Sequence, residues 1–192
     1  MTILLWAAFL MNLLVLVLLV QWLPSLLREA GMPLQTAITT TVGFNVGGVL
    51  VAPLVGRLMD HFNPFAILAG TFVWAAIFIA IAGSAISSQT LLMIAVFSAG
   101  AGVNGGQINL NALGGRLYPT AIRSTGIGWA LGIGRIGAIV GPLIGGLLVG
   151  LGWQSSSIIF VAAAPLLLVT IVVWGLSQTR GASQTIAGSI GK

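Results

Sequence analysis

The chain has 192 residues, of which 58% are hydrophobic and only 5% are charged, with a formal net charge of +5. Soluble domains usually carry about a quarter charged residues, so this composition excludes an ordinary soluble protein and is typical of repeated transmembrane helices. With no cysteine, one histidine and two acidic residues, the chain has no thiolate metal site and little material for acid–base catalysis, so we expect no enzyme, no metal and no cofactor.

Six apolar segments of about 20 residues, each long enough to cross a bilayer, follow one another along the chain. They run over residues 3–24, 36–56, 65–84, 90–113, 125–150 and 154–176. We interpret residues 1–177 as one six-helix transmembrane domain and the polar residues 178–192 as a disordered cytoplasmic tail. The sequence therefore predicts an all-α membrane protein that contacts the lipid bilayer along its whole length.

The basic residues indicate how these spans are oriented. Six spans put both termini on one side of the membrane, and that side receives Arg57, Arg116, Arg123, Arg180 and Lys192. The opposite side receives only Arg28, next to Glu29. An excess of basic residues marks cytoplasmic loops, so we expect cytoplasmic termini. The same residues are scattered between apolar spans and form no stripe of the kind that binds nucleic acid.

Polarity is distributed unevenly among the six spans. The third and sixth carry almost no polar side chains, which favours positions facing lipid, whereas the second, fourth and fifth carry glycine, amide side chains and one arginine. Polar groups within a membrane favour burial against other helices or against water. An apolar span at every third position is typical of two three-helix repeats with inverted topology.

Arg135 is the one ionisable residue in the fifth span, about ten residues and therefore roughly 15 Å into it. A central arginine costs at least about 2.5–3.5 kcal/mol on insertion scales. The two acids of the chain, Glu29 and Asp60, both fall in predicted loops. The partner of Arg135 is then a substrate anion, an acid on another subunit or half, or water and carbonyls. Its planar fork suits a carboxylate, and the alternative is a structural ion pair or gate.

Amide side chains in the fourth span form a second candidate group. Asn104, Gln107 and Asn111 are spaced i, i+3 and i+7, so they share one helical face. Such amides either hydrogen-bond neighbouring helices or line a wet path, and the spacing leaves both readings open. Asn109 points away from this face, and we assign it no function.

Other polar residues carry weaker signals. Asn45 shares a face of the second span with Thr41, and Asn12 lies in the first span. Asp60, expected in the loop after the second span, has three readings: it caps a neighbouring helix, pairs with Arg123, or is simply a solvated loop charge.

Glycines recur every three to four residues in the fifth span and indicate close packing against another helix. They are Gly134, Gly137, Gly141 and Gly145.

Two segments resemble a known family. Residues 56–60, GRLMD, resemble the G-x-L-x-D loop signature that major facilitator transporters repeat after the second helix of each half, although His61 and Asn63 depart from it. Residues 117–146, LYPTAIRSTGIGWALGIGRIGAIVGPLIGG, closely resemble the tenth-to-eleventh helix region of aromatic acid:proton symporters. The resemblance covers nearly the whole chain, as helices seven to twelve of a twelve-helix transporter.

The resemblance implies import of benzoate-like or hydroxybenzoate-like anions with protons across the bacterial inner membrane. It implies that Arg135 binds the substrate carboxylate. It also implies two further groups of site residues. The cavity-lining group is Asn104, Gln107, Asn45 and Asn12, and the gating-loop group is Gly56, Arg57, Asp60 and Arg123.

No acidic residue lies within a predicted span, and the family carries its proton-coupling acids chiefly in the first six helices. We therefore expect this chain to require an N-terminal six-helix half, in the same or a separate chain. It is then a fragment of a longer protein, a remnant of a broken gene, or a half that assembles with a partner. Alternatives are an inert or non-transporting membrane subunit, a homodimeric half-transporter, and a carrier for another small organic anion.

Overall fold

The computed structural model describes residues 1–85 and 88–190, with side chains as far as Gln178. The described elements are all helices, and six membrane-spanning segments emerge from them, which confirms the predicted fold class. The helices are α1 (Thr2–Glu29), α2 (Leu34–His61), α3 (Pro64–Ser84), α4 (Gln89–Leu117), α5 (Arg123–Gly150), α6 (Ser155–Val161) and α7 (Ala163–Ile190). The chain is therefore a multi-pass membrane protein.

Most of the helices extend beyond the apolar segments that the sequence identifies. α1 continues to Glu29 because a glycine, Gly31, terminates it in the left-handed region, with φ of 91°. The amide of Met32 donates to Leu27 O at 3.1 Å and that of Gly31 to Arg28 O at 2.9 Å, the paired bonds of a Schellman motif. Polar residues thus continue α1 beyond the hydrocarbon core of the bilayer, and the helix ends only where Gly31 terminates it.

The predicted loop after the second span is mostly helical. α2 runs on to His61, and α3 begins at Pro64 with Asn63 as its N-cap. The Asn63 side-chain oxygen accepts from Phe65 N at 3.0 Å and from Ala66 N at 3.4 Å. The expectation that Asp60 lies in a loop is therefore wrong, since Asp60 is on the last turn of α2.

The sixth span is interrupted, which the sequence analysis did not anticipate. Helix α6 ends at Val161 and α7 begins at Ala163. Pro165 has no amide hydrogen to donate to the carbonyl of Val161 four residues earlier, which accounts for a break at this point. Together α6 and the first part of α7 form one spanning segment, Ser155–Gln178. The predicted boundary at 177/178 and the disordered tail stay predictions, because side chains after Gln178 lie outside the described residues.

Helix packing follows the inverted repeat that the polarity pattern predicts. α2 packs along α4, and α5 packs along α1, as the two most extensive helix pairs. Exchanging the first three spans with the last three turns one pair into the other, as a pseudo-two-fold relation requires. α3 and α7 pack against each other behind these pairs, and they expose large apolar side chains such as Trp74, Ile77 and Trp174. This placement agrees with lipid-facing third and sixth spans.

Glycine contacts fix the register of the two repeats. A Cβ added to Gly47 of α2 would overlap the carbonyl of Phe97 and approach Ala101 N at 3.4 Å. A Cβ on Gly137 of α5 would overlap the carbonyl of Leu10 and approach Leu14 N at 3.2 Å. The same backbone atoms, in the same order and spacing, face each glycine. Gly47 and Gly137 are therefore equivalent positions, and so are Asn45 and Arg135, two residues earlier in each helix.

The side of the bundle formed by α1, α2, α4 and α5, away from α3 and α7, is referred to below as the front face. α4 meets α3 through Gly102 and Gly106, where added Cβ atoms would lie 2.6 Å from Ala75 Cβ and 2.6 Å from Phe72 Cε1. Residues on the opposite side of α4 consequently belong to the front face. The core behind it is built mainly of buried leucine, phenylalanine and alanine side chains.

Candidate functional site

Arg135 is the thirteenth of the 28 residues of α5, so it lies near the middle of its span. Its neighbours Gly134 and Gly137 are buried against α1, whereas Arg135 itself is exposed. No hydrogen bond or ion pair joins its guanidinium to another residue within the described part of the chain. The chain leaves this charge unpaired, because its two acids, Glu29 and Asp60, lie at the ends of α1 and α2.

The contacts of α5 indicate which way Arg135 faces. Ile127, about two turns earlier, contacts Gly114 of α4 at the end of the bundle where α4 and α5 are connected. α1 and α5 run parallel, and Arg135 lies about 100° around α5 from the α1 contact, in the direction of α4. Arg135 therefore belongs to the front face. Exposed apolar residues lie on the Arg135 side of α5 as well, at Leu131 and Ile139, and farther around the helix at Trp129, Ile136 and Leu147.

The amide stripe, defined as Asn104, Gln107 and Asn111, lies on the front face of α4 and is tied to α1. Asn12 Nδ2 donates to Gln107 Oε1 at 2.8 Å and to Val103 O at 3.3 Å. Gln107 Nε2 in turn donates to Asn111 Oδ1 at 3.4 Å. Asn12 is completely buried and Gln107 is 8% exposed, so these amides connect two helices and also border the front face.

Asn104 and Asn45 lie on the neighbouring contact between α4 and α2. A Cβ at Gly48 would lie 2.9 Å from Asn104 Nδ2, so the glycine gives that side chain its room. Asn45 is half-buried and donates to Thr41 O of its own helix at 3.1 Å. Both residues border the front face.

The predicted cavity-lining residues occupy similar depths in the bundle. Gly134 of α5 abuts Phe9 and Leu13 of α1, which places Arg135 level with Asn12 and hence with Gln107. Within the residues that the structure describes, no hydrogen bond links Arg135 to the amide stripe. The structure thus brings Asn12 and Gln107 into direct contact and leaves Arg135 on the same side, separated from them by α1.

One member of the predicted gating group, Asp60, forms an ion pair with a residue outside that group. Arg116 Nη2 binds Asp60 Oδ1, and Arg116 Nη1 donates to Met59 O at 3.4 Å. The predicted pairing of Asp60 with Arg123 is wrong, because Arg123 Nε instead donates to Tyr118 O at 3.4 Å beside its own helix. Arg116 is on the last turn of α4, directly beside the end of α2, so it reaches Asp60 first.

Asn109 is the residue that the sequence analysis missed. It is 4% exposed and donates to Ala52 O of α2 at 3.0 Å and to Gly105 O of its own helix at 2.9 Å. A Cβ at Gly56 would lie 3.2 Å from Asn109 Oδ1. Asn109 therefore fixes α2 at Ala52, five residues before Arg57 and eight before Asp60. The available signal was an amide within an apolar span, which needs a partner wherever it points.

A cavity of about 450 Å³ lies elsewhere, between α2, α3 and α4. Its walls are largely apolar, with Leu54, Ile67 and Trp74 among them. None of the predicted site residues lines it, so it has no part in the candidate site.

Known proteins resemble this chain over most of its length. A profile of the Major Facilitator Superfamily matches residues 4–191. The 4-hydroxybenzoate transporter PcaK of Acinetobacter baylyi is 41% identical over 173 residues, 90% of this chain and 38% of that protein. The gallate transporter of Pseudomonas putida is 42% identical over 151 residues, 79% of this chain and 34% of its own length.

The benzoate transport protein of Acinetobacter baylyi is 34% identical over 179 residues, 93% of this chain and 38% of that protein. This chain therefore spans about two fifths of the length of the curated relatives that it matches.

Proposed function

The chain belongs to the Major Facilitator Superfamily, and on that premise we propose that it is the C-terminal six-helix half of a transporter for aromatic carboxylates. Its relatives, named as transporters of 4-hydroxybenzoate, gallate and benzoate, support this substrate class. The work of the chain is transport, with no bond made or broken. Protons are the proposed co-substrate, and acids in the N-terminal half are the proposed proton acceptors.

The observation that carries the proposal is the unpaired Arg135 on the front face. A charge near the middle of a span is tolerated where it faces a water-filled cavity and meets a counter-ion. The guanidinium offers two parallel N–H donors, which match a carboxylate bidentately. Since the described chain provides no acid for it, an anionic substrate satisfies this group.

An N-terminal six-helix half is the proposed partner for the front face. Arg135 shares its side of α5 with Gly128 and Gly132, exposed small residues at which an added Cβ would meet nothing within 4 Å. Two exposed apolar residues, Leu131 and Ile139, flank Arg135 one turn away on the same side, and Trp129, Ile136 and Leu147 lie farther around the helix. Transport then proceeds by alternating access, as the two bundles rock around a site between them.

The proposed location is the bacterial inner membrane, with both termini in the cytoplasm. The positive-inside distribution of arginine and lysine supports this orientation. It places the Asp60–Arg116 ion pair and the exposed Arg57 at the cytoplasmic ends of α2 and α4. These residues are the proposed cytoplasmic gate, and the pair holds the two helix ends together in the state that the structure represents.

The test uses a fusion of this chain to the N-terminal six helices of the Acinetobacter 4-hydroxybenzoate transporter. The fusion is expressed in cells that contain neither this chain nor that transporter. Uptake of labelled 4-hydroxybenzoate and benzoate is measured at matched membrane abundance. Arg135→Ala is expected to abolish uptake of both acids, and Arg135→Lys to impair it, since a point charge lacks the bidentate fork. Arg28→Ala, at the opposite end of α1 from the gate, is the matched control and should transport normally.

Unchanged uptake by the Arg135→Ala fusion would exclude the anion site. Uptake by this chain expressed alone would favour the homodimeric half-transporter over the split carrier.

A further inference from the structure

The hydrogen bonds around Asn12 fix the orientation of an amide at the edge of the front face. Val103 O is a backbone carbonyl and only accepts, so the Asn12 atom at 3.3 Å from it is the NH₂ nitrogen. The same nitrogen lies 2.8 Å from the Gln107 side chain, which must therefore present its oxygen to Asn12. The orientation of both amides therefore follows from the Val103 carbonyl, which can only accept a hydrogen bond.

Gln107 is consequently left with its NH₂ group directed away from Asn12. One of these N–H groups points to Asn111 Oδ1 at the long distance of 3.4 Å, and the other has no partner among the described residues. Gln107 lies about 100–140° around α4 from Gly106 and Gly102, on the side of α4 that meets Asn12 of α1 and borders the front face. The chain thus sets a hydrogen-bond donor at the border of the proposed cavity, at the depth of Arg135.

The link from Asn12 to Gln107 has a cost that helix packing alone does not explain. Asn12 Oδ1 is buried without a hydrogen-bond partner in the described structure. An unpaired buried acceptor is destabilising, and replacing both members of a buried polar pair by apolar side chains is often nearly neutral. An apolar contact would join α1 to α4 as well, so the amide pair is explained by what Gln107 presents to the front face.

The surface between Arg135 and Gln107 is apolar. α1 lies between α5 and α4, and its half-buried front positions include Leu13, Val17 and Val20. A flat aromatic ring packs on such a surface with no competing hydrogen bond. The front face therefore presents a cation on α5, an apolar strip on α1 and an oriented amide on α4.

We propose that Gln107, oriented by Asn12, hydrogen-bonds a hydroxyl group on the ring of the carried acid and so selects hydroxylated aromatic carboxylates over unsubstituted or alkylated ones. This inference rests on the proposed function, because it takes the carboxylate to be at Arg135. Gln107 is the contacting residue and Asn12 is the positioning residue.

The experiment compares two nearly isosteric substrates, 4-hydroxybenzoate and 4-methylbenzoate, in the fusion described above. The ratio of their KM values is measured within each variant, so it does not depend on expression level. The unmodified fusion is expected to favour the hydroxylated acid. Gln107→Leu and Gln107→Met should each reduce this preference by about 3- to 10-fold, the equivalent of one neutral hydrogen bond. They should do so by raising KM for 4-hydroxybenzoate alone.

Asn12→Leu tests the positioning role, since it frees Gln107 to rotate without touching the substrate. It should reduce the preference in the same direction, and combining it with Gln107→Leu should add little further loss. Asn109→Leu is the matched control, because it removes a buried amide of the same helix that faces α2. It should leave the KM ratio unchanged even where it lowers uptake.

Two results would overturn the inference: no preference for the hydroxylated acid in the unmodified fusion, or a preference that survives both Gln107 substitutions. Neither result affects the Arg135 proposal. That proposal would fail if the Arg135→Ala fusion still took up both acids.

Discussion

Replacing Gly137 by alanine should separate α1 from α5 and destabilise the bundle. The added Cβ would overlap the carbonyl oxygen of Leu10 and lie 2.9 Å from its carbon and 3.2 Å from Leu14 N. These are backbone atoms of a neighbouring helix, so no side-chain rotation relieves the overlap. Overpacking by one methyl group costs about 1–3 kcal/mol, and a rigid backbone neighbour favours the upper half of that range.

Alanine is otherwise the better helix former, by about 1 kcal/mol. The expected net loss at Gly137 is therefore about 1–2 kcal/mol. Gly70→Ala on α3 is the matched control, because Gly70 is exposed and a Cβ there meets nothing within 4 Å. The control should gain up to about 1 kcal/mol from helix propensity.

The two variants are purified in the same detergent and compared by thermal unfolding, with size-exclusion chromatography as the measure of the folded fraction at each temperature. At roughly 2–4 °C per kcal/mol for a chain of this size, Gly137→Ala should lower Tm by about 2–8 °C, and Gly70→Ala should raise it by up to about 4 °C. A Gly137→Ala protein as stable as the Gly70→Ala protein would refute the close α1–α5 contact and the repeat register derived from it.

Two further polar contacts, the Asp60–Arg116 ion pair and the Trp22–Pro142 hydrogen bond, are each tested by substitution. Asp60→Arg should reduce uptake by the fusion, and adding Arg116→Asp should recover it. Tm should change little, because the pair is largely exposed and worth about 0–1 kcal/mol. A double variant that transports no better than Asp60→Arg would contradict the pairing. Trp22→Phe removes the indole donor 3.0 Å from Pro142 O and should cost about 0.5–1.5 kcal/mol in thermal unfolding. Trp174→Phe, at an exposed tryptophan of α7, is its control, and equal losses in the two would count against the bond.

The number of spans and their repeat were predictable because hydrophobicity is read in segments as long as a bilayer is thick. Helix ends were less predictable, since the apolar pattern stops at the hydrocarbon whereas the helix stops at a chemical terminator. Gly31, Asn63 and Pro64 are such terminators, several residues beyond the last apolar run. The break before Pro165 was missed for the complementary reason, because an apolar run continues through it.

The candidate site was predictable in its residue types and less so in its pairings. The i, i+3, i+7 spacing put Asn104, Gln107 and Asn111 on one face, which the structure confirms. That spacing carries no information about the other helices. The Asn12–Gln107 bond and the Asp60–Arg116 pair could therefore not be predicted from it. Asn109 was set aside because it faces away from the stripe, although the side that it faces holds α2.

The repeat register bears on the proposed anion site, because it pairs a neutral residue of one repeat with a charged residue of the other. Asn45 on α2 and Arg135 on α5 occupy equivalent positions in the two repeats, since each precedes by two residues the glycine that touches the partner backbone. A pseudo-two-fold frame alone would present the two ends of the front face alike. Here one position carries a neutral amide and the other a permanent cation, so the field across the front face is directional. Under the proposed function, a carboxylate is drawn to α5 and the remainder of the substrate extends across α1 toward the amides of α4. The two repeats thus share a backbone arrangement, and their different side chains at this pair of positions give the proposed site one charged end.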